Sequence, residues 1–440
     1  MARLPKGSTK LLNAWAFYDW ANSVYSLVIT SAIFPIFYNA LYINRSEYIH
    51  VFGSDVKSTA LVSFVTAGAF MVVAFISPLL SGIADYVGNK KFFLKFFCYL
   101  GAISCIGLYW FSLDNIYFGL LCYFLGLIGF WASLVFYNSF LPDIAFPEQQ
   151  DRVSARGYSL GYIGSVILLV INLAMVMKPD LFGITGTKGE AAMKAMRYSF
   201  VTVGIWWIIF SQYTYYHLPK GNITGRKLTR NVVFNGFREL KKVWHMLAEN
   251  TTLKRYLGGF FVYSMAVQTV MLVATYFGAQ EIRWETEEQS TTGLIICILL
   301  IQLVAVAGAF LTSRASEKWG NIPVLIVINS FWMLLCICAF FISAPMEFYV
   351  MAALVGLVMG GIQSLSRSTY SKLLPDTPDT ASFFSFYDVS EKIGIVIGMV
   401  LYGTIDQYYG PRYSIVFLAT FFLIGILLLR RVPKTGKVYA

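Results

Sequence analysis

The segment FFSFYDVSEKIGIVIGMVLYGT at residues 383–404 sets the kind of fold that this chain can adopt. Its length and apolar content suit a membrane-crossing helix, yet Asp388, Glu391 and Lys392 lie near one end. Residues three and four apart share one face of a helix, so these charges point the same way. A charged group in hydrocarbon costs at least about 2.5 kcal/mol, so this face is predicted to border a protein interior or a watery cavity.

The composition of the whole chain is that of a membrane protein with many spans. Of its 440 residues, 57% are hydrophobic and 13% are charged, and the mean hydropathy is +0.63. These values lie far outside the range of soluble globular domains. Long apolar windows also exclude a β-barrel, whose strands are short and alternate between apolar and polar residues. We therefore predict an all-α membrane protein.

Twelve segments are long and apolar enough to be transmembrane helices. Spans 1 to 6 are predicted at residues 11–42, 58–84, 92–113, 116–140, 157–177 and 197–218. Spans 7 to 12 are predicted at residues 256–280, 291–313, 321–343, 347–370, 383–405 and 412–430. Span 1 is too long for a signal-peptide core and lacks a small-residue cleavage site, so we expect it to be retained.

The distribution of basic residues predicts the orientation in the membrane. Of the 34 Lys and Arg residues, 25 fall at the two termini and in the loops after spans 2, 4, 6, 8 and 10, and 8 fall in the other loops. By the positive-inside rule, both termini of this multi-pass protein are cytoplasmic, and the membrane is the cell inner (cytoplasmic) membrane. The net charge of +11 therefore reports orientation and not nucleic-acid binding.

The polar segment between spans 6 and 7 contains nine basic and two acidic residues. An amphipathic helix lying on anionic lipid is predicted there from five apolar residues: Val233, Phe234, Phe237, Leu240 and Val243. The predicted organisation is an N-terminal six-helix bundle at 1–218, a cytoplasmic basic amphipathic linker at 219–255 and a C-terminal six-helix bundle at 256–440.

Two sequence markers recur at nearly the same offset and define an internal repeat. DYVGN at residues 85–89 follows span 2, and EKWGN at residues 317–321 follows span 8, 232 positions later. LPD at residues 141–143 follows span 4 and recurs at 374–376 after span 10, 233 positions later. The halves are therefore predicted to be parallel copies, a symmetry of transporters that rock two bundles around a midplane site.

The turn SGIADYVGNKK at residues 81–91 resembles the cytoplasmic loop signature of the major facilitator superfamily, and it follows span 2 as in that family. Ser81 stands where the signature usually has its first glycine, and Asn89 where it usually has a basic residue. The resemblance implies the major facilitator fold, in which spans 1, 4, 7 and 10 line a central cavity. Spans 2, 5, 8 and 11 then flank that cavity between the halves.

Longer motifs are similar to the vacuolar amino-acid effluxer family of fungal autophagy and its bacterial relatives, also called the unknown major facilitator family. They are WAFYDWANS at 15–23, YNSFLPDIA at 137–145, RVSARGY at 152–158, GGIQSLSRS at 360–368 and FFSFY at 383–387. Residues 263–269 in span 7, YSMAVQT, lack the acidic residue that relatives tend to carry there. This resemblance implies transport of a small molecule, with amino acids or peptides as candidates.

Polar residues fall in the spans that the resemblance places around the cavity. The candidate substrate or proton pathway consists of Asp19, Asn22, Tyr25, Asn138, Gln268, Gln363, Arg367, Asp388, Glu391 and Lys392. The candidate gate consists of Asp85, Gly88, Arg156 and Glu317.

Two interpretations are open for the charged pathway residues. Asp19 is either a proton carrier or substrate-amine anchor, or the structural partner of a buried cation. The Asp388 cluster serves either ion coupling or packing between the halves, and protonation of these carboxylates could alternate with substrate occupancy. Arg156 and Arg367 lie near cytoplasmic helix ends, where their side chains can reach water; they either support the structure or bind a substrate carboxylate.

The predicted gate depends on Asp85, which lies beside the amino end of span 11 in the expected fold. The dipole of that helix would hold the carboxylate in one conformation and release it in the other. Glu317 would repeat this arrangement in the second half. The alternative is that these are ordinary turn and capping residues.

Together these features predict a secondary active transporter that works by alternating access, with protons as the candidate driving ion. The expected partners are a small-molecule substrate, membrane lipid and protons, without nucleic acid, and the expected state is a monomer. No cofactor or metal is expected, because the six cysteines lie inside apolar segments and no Walker P-loop occurs. The alternatives are a membrane-embedded enzyme, for which no catalytic motif is found, and a non-transporting receptor or scaffold on a transporter fold.

Overall fold

Each predicted span is a helix in the structure, a computed structural model that describes residues 4–42, 48–51, 53–219 and 232–433. Spans 1 to 6 comprise Thr9–Ala40, Ser58–Val87, Lys90–Gly107, Ile116–Ser139, Pro147–Met177 and Lys188–His217. Spans 7 to 12 comprise Thr251–Glu281, Glu287–Trp319, Asn321–Cys338, Pro345–Leu373, Thr380–Tyr409 and Pro411–Arg430. Part of the predicted linker, residues 220–231, lies outside the described residues, as do the terminal basic residues Arg3, Lys434 and Lys437.

Ten of these helices are long and apolar enough, by length and composition, to cross a membrane within the part of the chain that the structure describes. The other two, spans 6 and 11, have 30 residues each but are less apolar. Span 11 is the helix that carries the three charges, and Asp388 and Lys392 are only 7% and 2% exposed. Its charged face therefore packs inside the bundle, as the sequence predicts.

Two kinds of local feature differ from the prediction, the starts of some helices and a β-hairpin. Span 6 begins at Lys188 and not at residue 197. Span 5 begins at Pro147 and not at residue 157, and its added turns contain the buried polar residues Gln150 and Asp151. Hydropathy misses these turns because they are buried between protein surfaces and not in lipid. The second feature is a β-hairpin between spans 1 and 2, in which Tyr48–Val51 pairs antiparallel with Ser54–Lys57.

The repeated turn occupies equivalent places in the two halves. Gly88 ends span 2 with a φ of +73°, and Gly320 ends span 8 with a φ of +84°. A backbone in this range favours glycine, because a Cβ there meets its own backbone. Asn89 precedes span 3, and Asn321 begins span 9. The two markers therefore share a glycine with a positive φ, while ψ differs, at 31° for Gly88 and 158° for Gly320.

Two buried apolar cores make up the bundle, one built mainly from the first half of the chain and the other mainly from the second. Between them, span 5 packs against spans 8 and 10, and span 11 packs against spans 2 and 4. Spans 2, 5, 8 and 11 thus form the contact between the halves, as the resemblance implies.

The described part of the linker contains the helix Val232–Glu249, called the linker helix below. It packs along span 2, and Val243 is fully buried, whereas Phe237 is 56% exposed. The side chains of Val233 and Phe234 lie outside the described residues. Part of the predicted lipid-facing surface is therefore covered by protein.

Candidate functional site

A cavity of about 290 Å³ lies between the two halves. Side chains of spans 1, 4, 5, 7, 8, 10 and 11 line it. Eight of the ten predicted pathway residues are among them: Asp19, Asn22, Asn138, Gln268, Gln363, Arg367, Asp388 and Glu391. Aromatic and amide side chains complete the wall, including Trp131, Tyr158, Tyr162, Tyr263, Gln302 and Tyr387. Asp19 and Glu391, which are 372 positions apart in sequence, therefore share one chamber.

Asp19 of span 1 and Arg367 of span 10 form an ion pair between the halves. Arg367 Nη2 lies 3.1 Å from Asp19 Oδ2, and the two residues are only 2% and 4% exposed. Tyr137 donates its hydroxyl to the same carboxylate oxygen at 2.9 Å. Span 5 can approach this pair because residue 157 is glycine, and a Cβ on Gly157 would overlap Asp19 Oδ2. In this conformation Asp19 is thus the partner of a buried cation.

The expectation that Arg367 reaches water at a helix end is wrong. All five of its N–H groups are used inside the protein. Nε donates to Ser154 Oγ at 3.0 Å, and Nη2 donates to the Ser154 carbonyl at 3.0 Å as well as to Asp19. Nη1 donates to Asp19 Oδ2 at 3.2 Å and to Asn138 Oδ1 at 3.3 Å. Proximity to a helix end in sequence misled the prediction, because the other half of the protein covers this position.

Asp388, Glu391 and Lys392 form a cluster that meets both halves. Lys392 Nζ donates to Asp388 Oδ1 at 3.0 Å and to Glu391 Oε2 at 3.1 Å, and it lies 3.6 Å from the ring centre of Trp131 in span 4. Gln268 of span 7 donates to Glu391 Oε1 at 2.7 Å. Asp388 Oδ2 is buried and has no hydrogen-bond partner among the described residues. Lys392 itself lies behind the two carboxylates and does not line the cavity wall.

Tyr25 is the one uncharged pathway residue that the structure places elsewhere. It is 1% exposed and packs on Phe130 and Trp207, within the first half. Span 1 changes from α-helical to π-helical at this residue. The cavity residues Asp19, Asn22 and Ser26 keep ordinary α-helical spacing, and Tyr25 lies outside the face that they define.

Asp85 makes the predicted contact with the start of span 11. The end of the bundle that carries the loop after span 2 is called the basic end below. Asp85 Oδ2 accepts hydrogen bonds from the backbone N–H and the hydroxyl of Ser382, both at 2.7 Å, and Oδ1 accepts from the Ala381 N–H at 3.3 Å. Gly88 forms the turn that follows. A carboxylate at a helix amino end is stabilised by these unpaired N–H groups and by the helix dipole.

Glu317 does not repeat this arrangement. It pairs with Arg152 at 3.1 Å, and both side chains are partly exposed. The buried carboxylate at this position is instead Asp151, at the start of span 5, which is 3% exposed. Asp151 accepts hydrogen bonds at 2.5 to 2.9 Å from three side chains of the second half: Ser316, Asn321 and Lys372. The buried carboxylates of both contacts, Asp85 and Asp151, therefore belong to the first half.

A third set of contacts holds the start of span 11 at the basic end. Lys90 is 5% exposed and donates to Asp143 Oδ2 and to Thr380 Oγ1, both at 2.5 Å. The neighbouring Asp379 accepts from Lys242 of the linker helix at 2.7 Å, and this hydrogen bond raises the pKa of Lys242 above its usual value. Side chains of the first half and of the linker helix therefore both bind the start of span 11.

Arg156, the remaining gate candidate, makes none of the hydrogen bonds described above, although it lines a pocket at the basic end with Asp151, Glu317 and Lys372. It is exposed and donates to Asn13 Oδ1 of span 1. Together with Phe17 and Phe310 it lines a groove on the side of the bundle. The expected exposure at a helix end therefore holds for Arg156, in contrast to Arg367.

Sequence reasoning did not single out Asp151, Lys90 or Tyr158 as site residues. Asp151 and Lys90 stand near helix starts, where polar residues are ordinary, and only burial against the other half distinguishes them. Tyr158, whose ring centre lies 4.2 Å from the Arg367 guanidinium carbon, belongs to the quoted motif at residues 152–158. That motif was the available signal for it.

Twelve helices in two like halves, with a polar cavity between them, form the major facilitator fold. The fold matches the Escherichia coli fucose:proton symporter FucP with a TM-score of 0.68 at 15% identity, over 97% of this chain and 98% of that one. It also matches the proton:xylose symporter XylE with a TM-score of 0.69 at 12% identity, over 97% and 96%. The predicted fold class is thereby confirmed.

The chain belongs to the family described as "Vacuole effluxer Atg22 like", whose model matches residues 7–437. It is 32% identical over 430 residues to the uncharacterized MFS-type transporter YxiO of Bacillus subtilis (strain 168), covering 98% of this chain and 96% of the relative. It is 22% identical to autophagy-related protein 22-1 of Phaeosphaeria nodorum, covering 93% and 87%. The predicted family is confirmed, and the chain is a multi-pass membrane transporter and not an enzyme.

Proposed function

We propose that this chain is a secondary active transporter that moves a small molecule across the membrane by alternating access. The observation that carries the proposal is the cavity, because both halves line it and their polar contacts close it toward the basic end. The hydrogen bonds and ion pairs between the halves that support this proposal lie at the basic end or beside the cavity. A substrate would leave or enter at the opposite end in this conformation.

The size of the cavity supports a metabolite-sized substrate. Its volume of about 290 Å³ is near the lower limit of the roughly 300–1,000 Å³ typical of small-molecule sites. Amino acids or small peptides are the proposed substrates, and efflux is the proposed direction, because the family is described as vacuole effluxers. The wall of amide and hydroxyl groups suits such polar molecules.

The two bundles at residues 1–218 and 256–440 are the proposed moving bodies, joined by the linker. To open the basic end, the protein must separate Asp85, Asp151 and Lys90 from their partners in the other half. These contacts are hydrogen bonds and ion pairs that water can replace, so the net cost of opening each one is modest. Such contacts suit an interface that has to close and open repeatedly.

Protons are the proposed coupling ion. Asp388 and Glu391 are carboxylates at membrane depth beside the cavity, and ionisable groups in that setting mark ion pathways. The Asp388→Asn and Glu391→Gln variants are therefore expected to lose the pH dependence of transport. Wild-type rates and an unchanged pH profile in both variants would contradict proton coupling through this cluster.

Both termini are proposed to be cytoplasmic, in the cell inner membrane, because the basic residues concentrate at the basic end. The measurement is the labelling of single cysteines at exposed positions of that end, such as Arg152, in intact cells. A membrane-impermeant thiol reagent should reach them only after the cells are permeabilised.

Alternating access is tested by locking the basic end. Arg152 and Glu317 are partly exposed, lie in opposite halves and form an ion pair at 3.1 Å. In a Cys338→Ser background, the Arg152→Cys/Glu317→Cys variant is treated with a short bis-maleimide in proteoliposomes. Substrate flux should fall in proportion to cross-linking, whereas each single-cysteine variant keeps its flux after the same treatment. Unimpaired flux in fully cross-linked protein would refute the proposal.

A further inference from the structure

The two cations near the cavity are poorly placed to bind a substrate anion. Arg367 uses all five N–H groups of its guanidinium on Asp19, Asn138 and Ser154. Lys392 uses two of its three donors on carboxylates, lies over the ring of Trp131 and does not line the cavity. A substrate carboxylate could therefore bind Arg367 only by displacing bonds that are already formed, and Lys392 is outside the cavity wall.

The carboxylates, in contrast, retain acceptor capacity. Asp388 is 93% buried, lines the cavity and leaves Oδ2 without a hydrogen-bond partner within the described residues. Glu391 also lines the cavity, and each of its oxygens has one partner, Gln268 or Lys392, although a carboxylate has about four acceptor sites. A buried carboxylate oxygen without a donor is destabilised, so a donor brought in by a substrate would be favoured.

The net charge of the cavity also favours a positively charged substrate. The described ionisable acids and bases of the cavity wall and its ion pairs are Asp19, Asp388, Glu391, Arg367 and Lys392, which are three acids and two bases. In their ordinary ionised forms they sum to −1. A single positive charge on the substrate would neutralise the chamber, whereas an anion would add to the imbalance.

The aromatic wall also favours a cation. Phe260 and Tyr387 of spans 7 and 11 stack with ring centres 4.0 Å apart, and both line the cavity. Tyr158 and Tyr263 line it from the opposite halves. Aromatic faces attract an ammonium group electrostatically, and more strongly where water is excluded. Desolvation of a protonated amine would thus be partly offset by these rings.

From these observations we infer that the transported molecule carries a protonated amine and a net positive charge, and that Asp388 and Glu391 receive the ammonium group. This inference rests on the proposed function, since it names the substrate class of the same cavity. It predicts that the substrate ammonium sits between spans 7 and 11, away from the Asp19–Arg367 pair. That pair supports the wall and does not bind the ligand.

The test is calorimetric titration of the purified full-length protein at pH 7 with three classes of probe. The amines isoamylamine and phenylethylamine are compared with isoamyl alcohol and 2-phenylethanol, which differ from them only in the ammonium group. The anions N-acetylleucine and N-acetylphenylalanine are the third class. At least one amine should bind about tenfold to a hundredfold more tightly than its alcohol, which is the factor for one charge-assisted hydrogen bond. Equal affinity, tighter binding of an anion, or no binding of either amine overturns the inference.

The variants assign the site. Asp388→Asn and Glu391→Gln should each weaken amine binding by about tenfold or more, and should lower the ratio of amine affinity to alcohol affinity. Asp406→Asn is the matched control, because it removes a carboxylate from the same helix outside the cavity and should change neither. Amine binding that survives in both test variants overturns the assignment. Loss of amine binding in sodium chloride but not in choline chloride also overturns it, because the site would then be saturated by sodium ions.

Binding and flux separate this inference from the proposed function. An amine that binds with the expected charge preference, but is not moved across proteoliposomes by the protein, supports the inference and contradicts transport as the activity. Flux of zwitterions or anions with no preference for cations supports transport and contradicts the inference.

Discussion

Removal of the Asp19 charge should destabilise the protein more than simultaneous removal of both members of its ion pair. The Asp19→Asn variant keeps a side-chain oxygen that can accept from Arg367, and it keeps the shape of the side chain. It leaves the guanidinium, which is 2% exposed, without a counter-charge. Arg367 would still reach Ser154 and Asn138, so the loss is mainly electrostatic.

The size of the effect follows from the burial of the pair. Removing one partner of a buried ion pair typically costs about 3–5 kcal/mol, whereas replacing both by neutral groups is often close to neutral. We therefore expect Asp19→Asn to lower the free energy of unfolding by about 3–5 kcal/mol. The double variant Asp19→Asn/Arg367→Gln should recover most of this loss, because no uncompensated charge remains.

The assay is reversible unfolding of the purified protein in mixed micelles, with the wild type, the two single variants and the double variant compared as a thermodynamic cycle. The decisive comparison is the double variant against Asp19→Asn alone. If the double variant is no more stable than Asp19→Asn, the pair is not an electrostatic link between the halves. A loss below about 1 kcal/mol in Asp19→Asn would equally refute the reasoning, since that is the range of an exposed pair.

Two further predictions concern the contacts between the halves. Gly157→Ala places a methyl group on Asp19 Oδ2, so it should lower thermal stability and transport together, whereas Gly258→Ala, with open space around its Cβ, should change neither. Asp151→Asn removes the carboxylate that buried donors surround, so it should increase the reaction of a cysteine placed in the cavity with thiol reagents added at the basic end. Glu317→Gln breaks only a partly exposed pair and should leave that reaction near the wild-type rate; equal rates in the two variants would contradict the assigned difference.

Several features of the fold could be predicted from the chain alone because bilayer physics limits the choices. Apolar length locates the helices, since each backbone polar group in hydrocarbon must be bonded within its own segment. The repeated Gly88 and Gly320 turns reveal two like halves, because both need a positive φ. The charged face of span 11 indicates a protein interior, because Asp388 and Lys392 would be costly in lipid. These inferences use local chemistry, which does not depend on the distant partner.

Only part of the arrangement of the candidate site could be predicted from the sequence. The sequence predicts that Asp19 and Asp388 border the cavity, but it does not reveal that Arg367 is covered by span 5. Tyr25 was assigned to the cavity although the helical face of Asp19, Asn22 and Ser26, which lines it, excludes residue 25. Asp151 resembles an ordinary helix-start residue until the second half supplies its three donors.

The sequence by itself determined that this protein lies in a membrane, where its helices are, that it has two like halves and which spans carry ionisable groups. These features follow from the cost of polar groups in hydrocarbon. Only the tertiary structure decided which charges neutralise one another. Within the described residues, Arg367 is saturated with acceptors and Asp388 Oδ2 has no hydrogen-bond partner, because helices from two separate bundles meet at these side chains. Such pairings depend on packing between residues hundreds of positions apart, where helix spacing and hydropathy contain no information.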